Sequence, residues 1–346
     1  MQRILYAIIV VSILLVACEQ PHDPVSHDRF YAFGTLIDLS LYGASAEQQV
    51  QASTALESAF SKMHNDWHAW QPGALTSINE RLASLEQFRA RPDILSLLQQ
   101  ANTLSAQSRG LFNPALGKLI ELWGFHNDEI TTLAAPDPAA LEALLAAAPS
   151  VNDVTIEGNT IISRNPAVQY DLGAFAKGYA IDRGIELLRS LGIPNAIINA
   201  GGDLRAIGHH GDRPWRIGIR RPRQAGVLAS VALSDDESIF TSGDYERYFE
   251  VDGQRFHHII DPRDGYPASQ SMSVTVIHTD AATADAAATA LFVAGPQAWT
   301  GIARDMGIHF VMLIDSDGII HMNPAMQSRI HFEVETPGII LSEPLT

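Results

Sequence analysis

The sequence reads YDLGAFAKGYAID from Tyr170 to Asp182. It passes from a polar extended segment, through a glycine-containing turn, into an amphipathic helix that we predict for residues 179–191. The free N–H groups and positive dipole end of a helix N-terminus favour phosphate or another anion. Lys177 adds a positive charge there, and Asp171 can orient a hydroxyl or a polar ring atom. The spacing is not that of a strict phosphate loop, so the stretch alone also fits a capped helix with a solvated lysine.

Strand-like and helix-like segments are interspersed on both sides of this stretch, which favours an α+β fold in one large unit. Helices are predicted for residues 46–63, 92–108, 139–148 and 281–293, and strands for residues 30–41, 195–199, 204–208, 215–219, 227–233 and 273–278. Residues 154–162 and 309–322 each fit a hairpin, because a turn sequence interrupts an apolar run. Neither an internal repeat nor a clean domain boundary is visible.

Composition excludes several classes of protein. The chain has 346 residues, of which 46% are hydrophobic and 18% charged, as in an ordinary globular protein rather than a disordered one. Its net charge of −16 argues against a nucleic-acid-binding protein, which needs a basic face. A single cysteine excludes an intrachain disulfide framework.

The N-terminus has the pattern of a bacterial lipoprotein signal. Arg3 precedes an apolar run over residues 4–17, which is short for a membrane span, and Leu-Val-Ala then leads into Cys18. We expect a signal peptide over residues 1–17, lipidation of Cys18, a tether over residues 18–29 and a folded domain over residues 30–335. An uncleaved anchor or a buried helix is the alternative. Lipidation predicts anchoring on the periplasmic side of a bacterial membrane, with the inner membrane preferred to the outer.

The alanine-rich helix carries a candidate metal site. Asp285 and Thr289 are four residues apart and therefore project from one helix face. A carboxylate and a hydroxyl among small neighbours suit a hard cation such as Mg²⁺, completed by a carbonyl, water and phosphate oxygens. Taken alone, Asp285 also fits an ordinary surface aspartate. Asp315 and Asp317 do not complete a calcium-binding pattern, and we interpret them as a hairpin turn.

Two further features have both a structural and a functional interpretation. Of the adjacent His257 and His258, one must face inward on a strand, and a histidine beside phosphate could move a proton. Trp67 and Trp70 precede a turn, where an aromatic ring either packs on the core or stacks on a planar ligand.

Together these segments resemble the ApbE family of FAD:protein FMN transferases, which are typically bacterial lipoproteins. The resemblance covers roughly residues 30–325, and six segments carry it in the right order. They are Phe33-Gly34-Thr35, Asp171 to Asp182, Asn199 to Asp203, Thr241 to Tyr245, His258 to Arg263 and Ala284 to Ala290.

The resemblance implies a T-fold-like α+β core with FAD in a cleft and Mg²⁺ at its pyrophosphate. For the metal it implies the side chains of Asp285 and Thr289 and the carbonyl of Ala174, with the backbone of Ala288 nearby. For FAD it implies contacts from Phe33, Trp70, Asp171, Lys177 and the backbone of Ile259. His258 matches a histidine that assists transfer, and Asp285 is counted with it among the catalytic residues.

The chain departs from the family pattern at two places. Asn113, Pro114 and Ala115 stand where the family commonly shows Asp-Pro-Thr, so a carboxylate and a hydroxyl near the nucleotide are missing. We still place these three residues beside the cofactor. Asp264 replaces the usual threonine in the turn after Arg263.

Three functions stay open from sequence. The first is transfer of FMN from FAD to a threonine or serine hydroxyl of an acceptor protein, expected to be a subunit of a membrane redox complex, with release of AMP. The second is Mg²⁺-dependent hydrolysis of FAD to FMN and AMP. The third is a lipoprotein that binds FAD without turnover.

Overall fold

A computed structural model describes residues 25–127, 134–336 and 338–345. The predicted signal peptide, Cys18 and residues 19–24 of the predicted tether lie outside the described residues. Residues 25–29, also assigned to the tether, instead form part of the first strand, because they pair with Asp38 to Tyr42. None of the described helices has the length and apolar character needed to span a bilayer.

The described residues form eight α-helices, one short 3-10 turn and seventeen strands. The helices are α1 (Ala46–Trp67), α2 (Ala74–Ala83), α3 (Pro92–Gln107), α4 (Gly117–Leu122), α5 (Pro138–Ala147), α6 (Ala176–Ser190), α7 (Ala281–Asp305) and α8 (Pro324–Gln327), and the 3-10 turn is Val151–Asp153. The strands are β1 (Val25–Ala32), β2 (Thr35–Tyr42), β3 (Phe88–Arg89), β4 (Val154–Glu157), β5 (Thr160–Ser163), β6 (Ala196–Ala200), β7 (Asp203–Ile207), β8 (Trp215–Arg220), β9 (Val227–Leu233), β10 (Glu237–Gly243), β11 (Tyr248–Val251), β12 (Gln254–His257), β13 (Ser271–His278), β14 (Phe310–Asp315), β15 (Ile320–Met322), β16 (Ile330–Phe332) and β17 (Ile339–Leu341).

A nine-stranded sheet in the order β1-β2-β6-β7-β10-β13-β14-β15-β17 organises the fold. Adjacent strands of this sheet pair antiparallel, except that β15 and β17 pair parallel. Helices α1, α6 and α7 cover one face, and the main hydrophobic core lies beneath them. A smaller sheet, β16-β9-β8, packs a second core on the other face. This single mixed architecture confirms the predicted α+β fold.

Side-chain alternation along β7 explains why two charged residues of the sheet face the helix layer. Leu204 and Ala206 point into the second core. Asp203 and Arg205 therefore point to the opposite face, toward α6, because successive strand residues face opposite sides. Both side chains are almost completely buried, so each requires a charged partner from the helix layer.

Helix α7 is the packed centre of the helix layer. The alanines within residues 281–290 are all buried, which allows the sheet and α6 to approach closely. The helix was predicted to end at Val293, but it resumes after a kink at Gly295, where φ is 70° and Pro296 follows. Asp280 caps its start by accepting the Thr283 N–H at 2.7 Å.

Helix α6 begins at Ala176, three residues before the predicted start. At Gly178 the backbone of α6 lies against that of α7, since a Cβ built there would come within 2.2 Å of the Ala281 carbonyl oxygen. The glycine thus serves close helix packing rather than a phosphate loop.

Both predicted hairpins are present. β4 and β5 pair around Gly158-Asn159, and β14 pairs with β15. Asp315 closes the second turn by accepting the N–H groups of Asp317 and Ile319. It also contacts His321 Nε2 at 2.7 Å, so the carboxylate has a structural role.

Candidate functional site

A cleft of about 610 Å³ opens where six of the chain's segments meet. They are the β1–β2 turn, the end of α1 with the residues after it, the loop before α4, the turn leading into α6, the 258–260 segment and the middle of α7. The volume falls within the range of small-molecule and cofactor sites. The cleft is lined by Phe33, Trp70, Asn113, Pro114, Asp171, Ala174, Lys177, His258, Ile259, Asp285, Ala288 and Thr289, among others.

Asp285 stands at the floor of the cleft, facing the first turn of α6. Its Oδ2 accepts the Gly178 N–H at 2.9 Å. Burial raises the pKa of this carboxyl to about 7, and nearby Asp203 adds to the rise while Lys177 opposes it. One turn further along α7, Thr289 Oγ1 lies 3.1 Å from Ser242 Oγ. The carboxylate, the hydroxyl and Ala174 thus line one cavity.

Lys177 extends from α6 to Asp203 on β7 and forms an ion pair with its Oδ2. Burial lowers the pKa of Lys177, but the charges of Asp203 and Asp285 outweigh this effect and raise it overall. Asp203 is itself fixed, because its Oδ1 accepts the Thr241 N–H at 2.9 Å. The lysine is therefore held charged beside the N-terminus of α6.

The two adjacent histidines have different surroundings. His257 is buried, with Nε2 2.7 Å from the Ala268 carbonyl and Nδ1 accepting the Ile259 N–H at 3.3 Å. His258 lines the cleft, and its Nδ1 lies 3.3 Å from the Arg247 carbonyl. Since a carbonyl only accepts, Nδ1 carries the proton and Nε2 keeps its lone pair. Burial, with His257, Arg247 and Lys177 adding to it, lowers the pKa of His258 to about 3.

Ile259 lines the cleft, and both of its main-chain polar groups are hydrogen-bonded within the protein. Its N–H donates to His257, and its carbonyl accepts the Ala268 N–H at 3.0 Å. A flavin contact at the Ile259 N–H would compete with its bond to His257, whereas the carbonyl oxygen keeps a second lone pair for a donor.

Aromatic rings form one wall of the cleft. The Phe33 ring packs 5.9 Å from Trp67 and 5.7 Å from His64. Phe33 is held there in a two-residue turn with φ 53°, and its N–H donates to His64 Nδ1 at 3.2 Å. Farther along, Trp70 Nε1 donates to Asp171 Oδ2 at 3.1 Å. The Asp171 carboxylate thus fixes the orientation of the Trp70 indole ring without a ligand.

The segment that departs from the family pattern is tied to its own surroundings. Asn113 Nδ2 donates to the Pro149 carbonyl at 3.0 Å, and its Oδ1 accepts the Ala115 N–H at 3.1 Å. Asn113 and Pro114 line the cleft, whereas Ala115 is fully buried behind it. The side chain of Ala115 therefore lies in the core, away from the predicted cofactor position.

Sequence reasoning missed several residues that the structure brings to the cleft. Asp203 occurs within a quoted motif but was assigned no role, because its partner Lys177 is 26 residues away. Glu246 and Arg220 line the same side and pair with each other at 2.9 Å. The His126 ring packs against Trp70 with the two ring centres 5.3 Å apart and the planes tilted by 55°. No local pattern marks these residues, because each reaches the cleft from a different element.

Most of the chain is similar in sequence to proteins of one family. The profile of the ApbE family matches residues 33–312. The chain is 46% identical over 307 residues to an FAD:protein FMN transferase from Rhodobacter capsulatus, a match that spans 89% of this chain but 58% of that protein. It is 31% identical over 314 residues to an FAD:protein FMN transferase from Vibrio cholerae, covering 88% of this chain and 92% of the other.

The fold agrees with a solved structure. The crystal structure of the ApbE protein from Thermotoga maritima superimposes with a TM-score of 0.81 at 32% identity, covering 90% of this chain and all of the other. Sequence profile, relatives and fold therefore agree, and the chain belongs to the ApbE family.

Proposed function

We propose that this protein transfers FMN from FAD to a threonine or serine hydroxyl of an acceptor protein and releases AMP. The observation that carries the proposal is the meeting, in one cleft, of the N-terminus of α6 with Lys177, the oxygen atoms of Asp285, Thr289 and Ala174, and the Nε2 of His258. The names of the matched relatives from Rhodobacter capsulatus and Vibrio cholerae support the same activity.

Two residues on α7 and one just before α6 fit a Mg²⁺ ion. Asp285, Thr289 and the Ala174 carbonyl offer a carboxylate, a hydroxyl and a carbonyl oxygen, the ligand types that Mg²⁺ prefers. Among the described residues no cluster of three or more His, Cys, Asp or Glu side chains could hold a metal. A Mg²⁺ site with few protein ligands leaves positions for phosphate oxygens. When bound, the ion would supply charge neutralisation at the pyrophosphate.

The chain's own groups account for binding. The positive end of the α6 dipole, together with the Lys177 ammonium, attracts the pyrophosphate. Phe33 and Trp70 present rings at which a flavin could stack, and Asp171 keeps the Trp70 indole from rotating. These contacts support a position for the FMN phosphorus between α6 and the 258–260 segment.

His258 is placed to move the proton. The acceptor hydroxyl oxygen forms a bond to the FMN phosphorus while the phosphorus–oxygen bond to AMP breaks, and Nε2 of His258 takes the hydroxyl proton. In the free protein this imidazole binds a proton weakly, because its pKa is lowered to about 3. The anionic pyrophosphate favours the imidazolium form, so the proton affinity rises in the complex.

One incubation separates the three functions that sequence leaves open. The purified chain is mixed with FAD, MgCl₂ and a candidate acceptor, and the products are followed by in-gel flavin fluorescence and by AMP release. Transfer predicts one AMP for each FMN on the acceptor and none on an acceptor whose threonine is replaced by alanine. AMP release without protein labelling would identify a pyrophosphatase, and the absence of both would leave an FAD-binding protein.

The assignment of Asp285 is tested in the same assay. Asp285→Ala is expected to abolish Mg²⁺-dependent transfer, because it removes the one carboxylate of the donor set. Turnover equal to that of the wild type would refute the metal site without affecting the family assignment.

We extend the proposal to location and partner. Lipidation of Cys18 would hold the domain on the periplasmic side of the membrane, where a subunit of a membrane redox complex is the expected acceptor. Mass spectrometry of periplasmic proteins with and without this chain tests both, since an acceptor gains one FMN unit on a threonine or serine.

A further inference from the structure

Asp182 connects the two helices that form the floor of the cleft. It lies one turn after Gly178 on α6, and its side chain is almost completely buried. Its two carboxylate oxygens accept the N–H groups of Ala281 and Ala282, each at 3.0 Å. These N–H groups begin α7 and have no acceptor within that helix. A carboxylate at this position also complements the positive end of the helix dipole.

Strand β7 holds Asp182 in turn. Arg205 Nη1 forms an ion pair with Asp182 Oδ1. The other side of the guanidinium binds Asp236 Oδ1, at 2.7 Å from Nη2 and 3.0 Å from Nε. Asp203, two residues earlier on the same face of β7, binds Lys177. The strand therefore fixes α6 at two points, and α6 fixes the start of α7.

Asp285 comes one helical turn after Ala281. Its Oδ2 is bound by the Gly178 N–H, and Gly178 packs against the Ala281 carbonyl. A shift of the first turn of α7 relative to α6 would therefore move the Asp285 carboxylate relative to Ala174 and Lys177. Metal affinity is sensitive to such outer contacts, whose loss typically weakens it 10- to 100-fold.

We propose that Asp182 is a positioning residue for the cation site: by binding the first two N–H groups of α7 it sets where Asp285 and Thr289 stand. The inference rests on the proposed function for the identity of the cation. The positional part depends only on contacts between α6, β7 and α7.

The test compares Asp182→Asn with Asp236→Asn in the full chain. Asparagine at position 182 keeps one acceptor oxygen but places an NH₂ donor against an N–H of α7. Asparagine at position 236 weakens the same Arg205 guanidinium but leaves the N–H groups of Ala281 and Ala282 paired. The melting temperatures of both variants are measured, so that a change in Mn²⁺ binding that merely follows lost stability can be recognised.

Two readouts are measured on each variant. The first is Mn²⁺ affinity in the presence of FAD, from electron paramagnetic resonance of free Mn²⁺. The second is amide hydrogen exchange over residues 281–290 without metal. We expect Asp182→Asn to weaken Mn²⁺ binding about tenfold and to speed exchange in these residues, and we expect Asp236→Asn to leave both within twofold of the wild type.

Equal weakening in both variants would overturn the inference, because the effect would then follow stability. Unchanged exchange in a folded Asp182→Asn protein would also overturn it, whatever the metal result. If the wild type with FAD bound no Mn²⁺, the proposed cation site itself would fail, and that result is distinct from either outcome.

Discussion

The amide nitrogen of Gly178 and Oδ2 of Asp285 lie 2.9 Å apart, although 107 residues separate them in the chain. This bond joins the segment that opens α6 to the acidic residue of α7. It also requires the two helix backbones to approach closely, which only a residue without a side chain permits at position 178. The chemistry of the cleft therefore depends on helix packing.

Replacing Gly178 by alanine should damage both packing and activity. The added Cβ would come within 2.2 Å of the Ala281 carbonyl oxygen, so the helices must separate. We expect a loss of about 1–3 kcal/mol in unfolding free energy and reduced transfer, measured by urea denaturation and by flavin labelling. Gly301→Ala on α7 is the matched control, since a Cβ built there would lie 3.7 Å from Arg109 Nη2, an ordinary contact, and the change should not destabilise.

Asp285 should make the stability of the metal-free protein fall as pH rises. Burial raises the pKa of Asp285 from 3.8 to about 7, so the folded state holds its proton more tightly than the unfolded chain does. The stabilisation is complete below pH 4 and is lost as the pH passes through about 7.

Asp285→Asn removes this titration while keeping an acceptor for the Gly178 N–H. Between pH 5 and 8 the wild type should therefore lose on the order of 2–4 kcal/mol relative to the variant, measured by urea denaturation in EDTA. Asp182, whose burial raises its pKa to about 6, is present in both proteins. If the unfolding free energies of the wild type and Asp285→Asn changed in parallel with pH, the raised pKa would not belong to Asp285.

His258→Gln should lower the rate of transfer rather than FAD binding. Removal of a positioned proton acceptor typically costs about 10²- to 10⁴-fold in rate. Because the pKa of His258 is lowered to about 3, the wild-type rate at low FAD should show no inflection near pH 6.5 from this residue.

His257→Gln provides the contrast. This histidine bridges the Ala268 carbonyl and the Ile259 N–H in the interior, so its loss should lower the melting temperature. A His258→Gln protein with full single-turnover activity would exclude the imidazole as the proton acceptor.

Trp70→Phe should weaken FAD binding modestly. Phenylalanine keeps an aromatic face but loses the 3.1 Å hydrogen bond from Nε1 to Asp171. This bond orders the indole before FAD binds and contributes about 0.5–1.5 kcal/mol, so its loss should raise the dissociation constant of FAD by at most about 12-fold, measured by fluorescence quenching. Trp70→Ala should weaken binding further, and identical affinities for both variants would argue against stacking at this position.

Local sequence patterns predicted the elements well where neighbours in the chain determine them. The turn Gly158-Asn159 specifies its hairpin, and the four-residue spacing of Asp285 and Thr289 places both on one helix face. Boundaries were less predictable. Val25 belongs to β1 because of pairing with Tyr42 across the hairpin, and α7 continues past its kink with Trp299, Ile302 and Ala303 buried.

By itself, the sequence determined the α+β class, the helical face that carries Asp285 and Thr289, and the histidine pair of which one member lines the cleft. Only the tertiary structure decided that Lys177 pairs with Asp203, that Trp70 is oriented by Asp171 and that Asp182 holds the start of α7. The physical reason is that periodicity and turn chemistry act over a few residues. Buried charges, in contrast, find their partners only once the sheet and helices have packed, as Asp285 does across the 107 residues that separate it from Gly178.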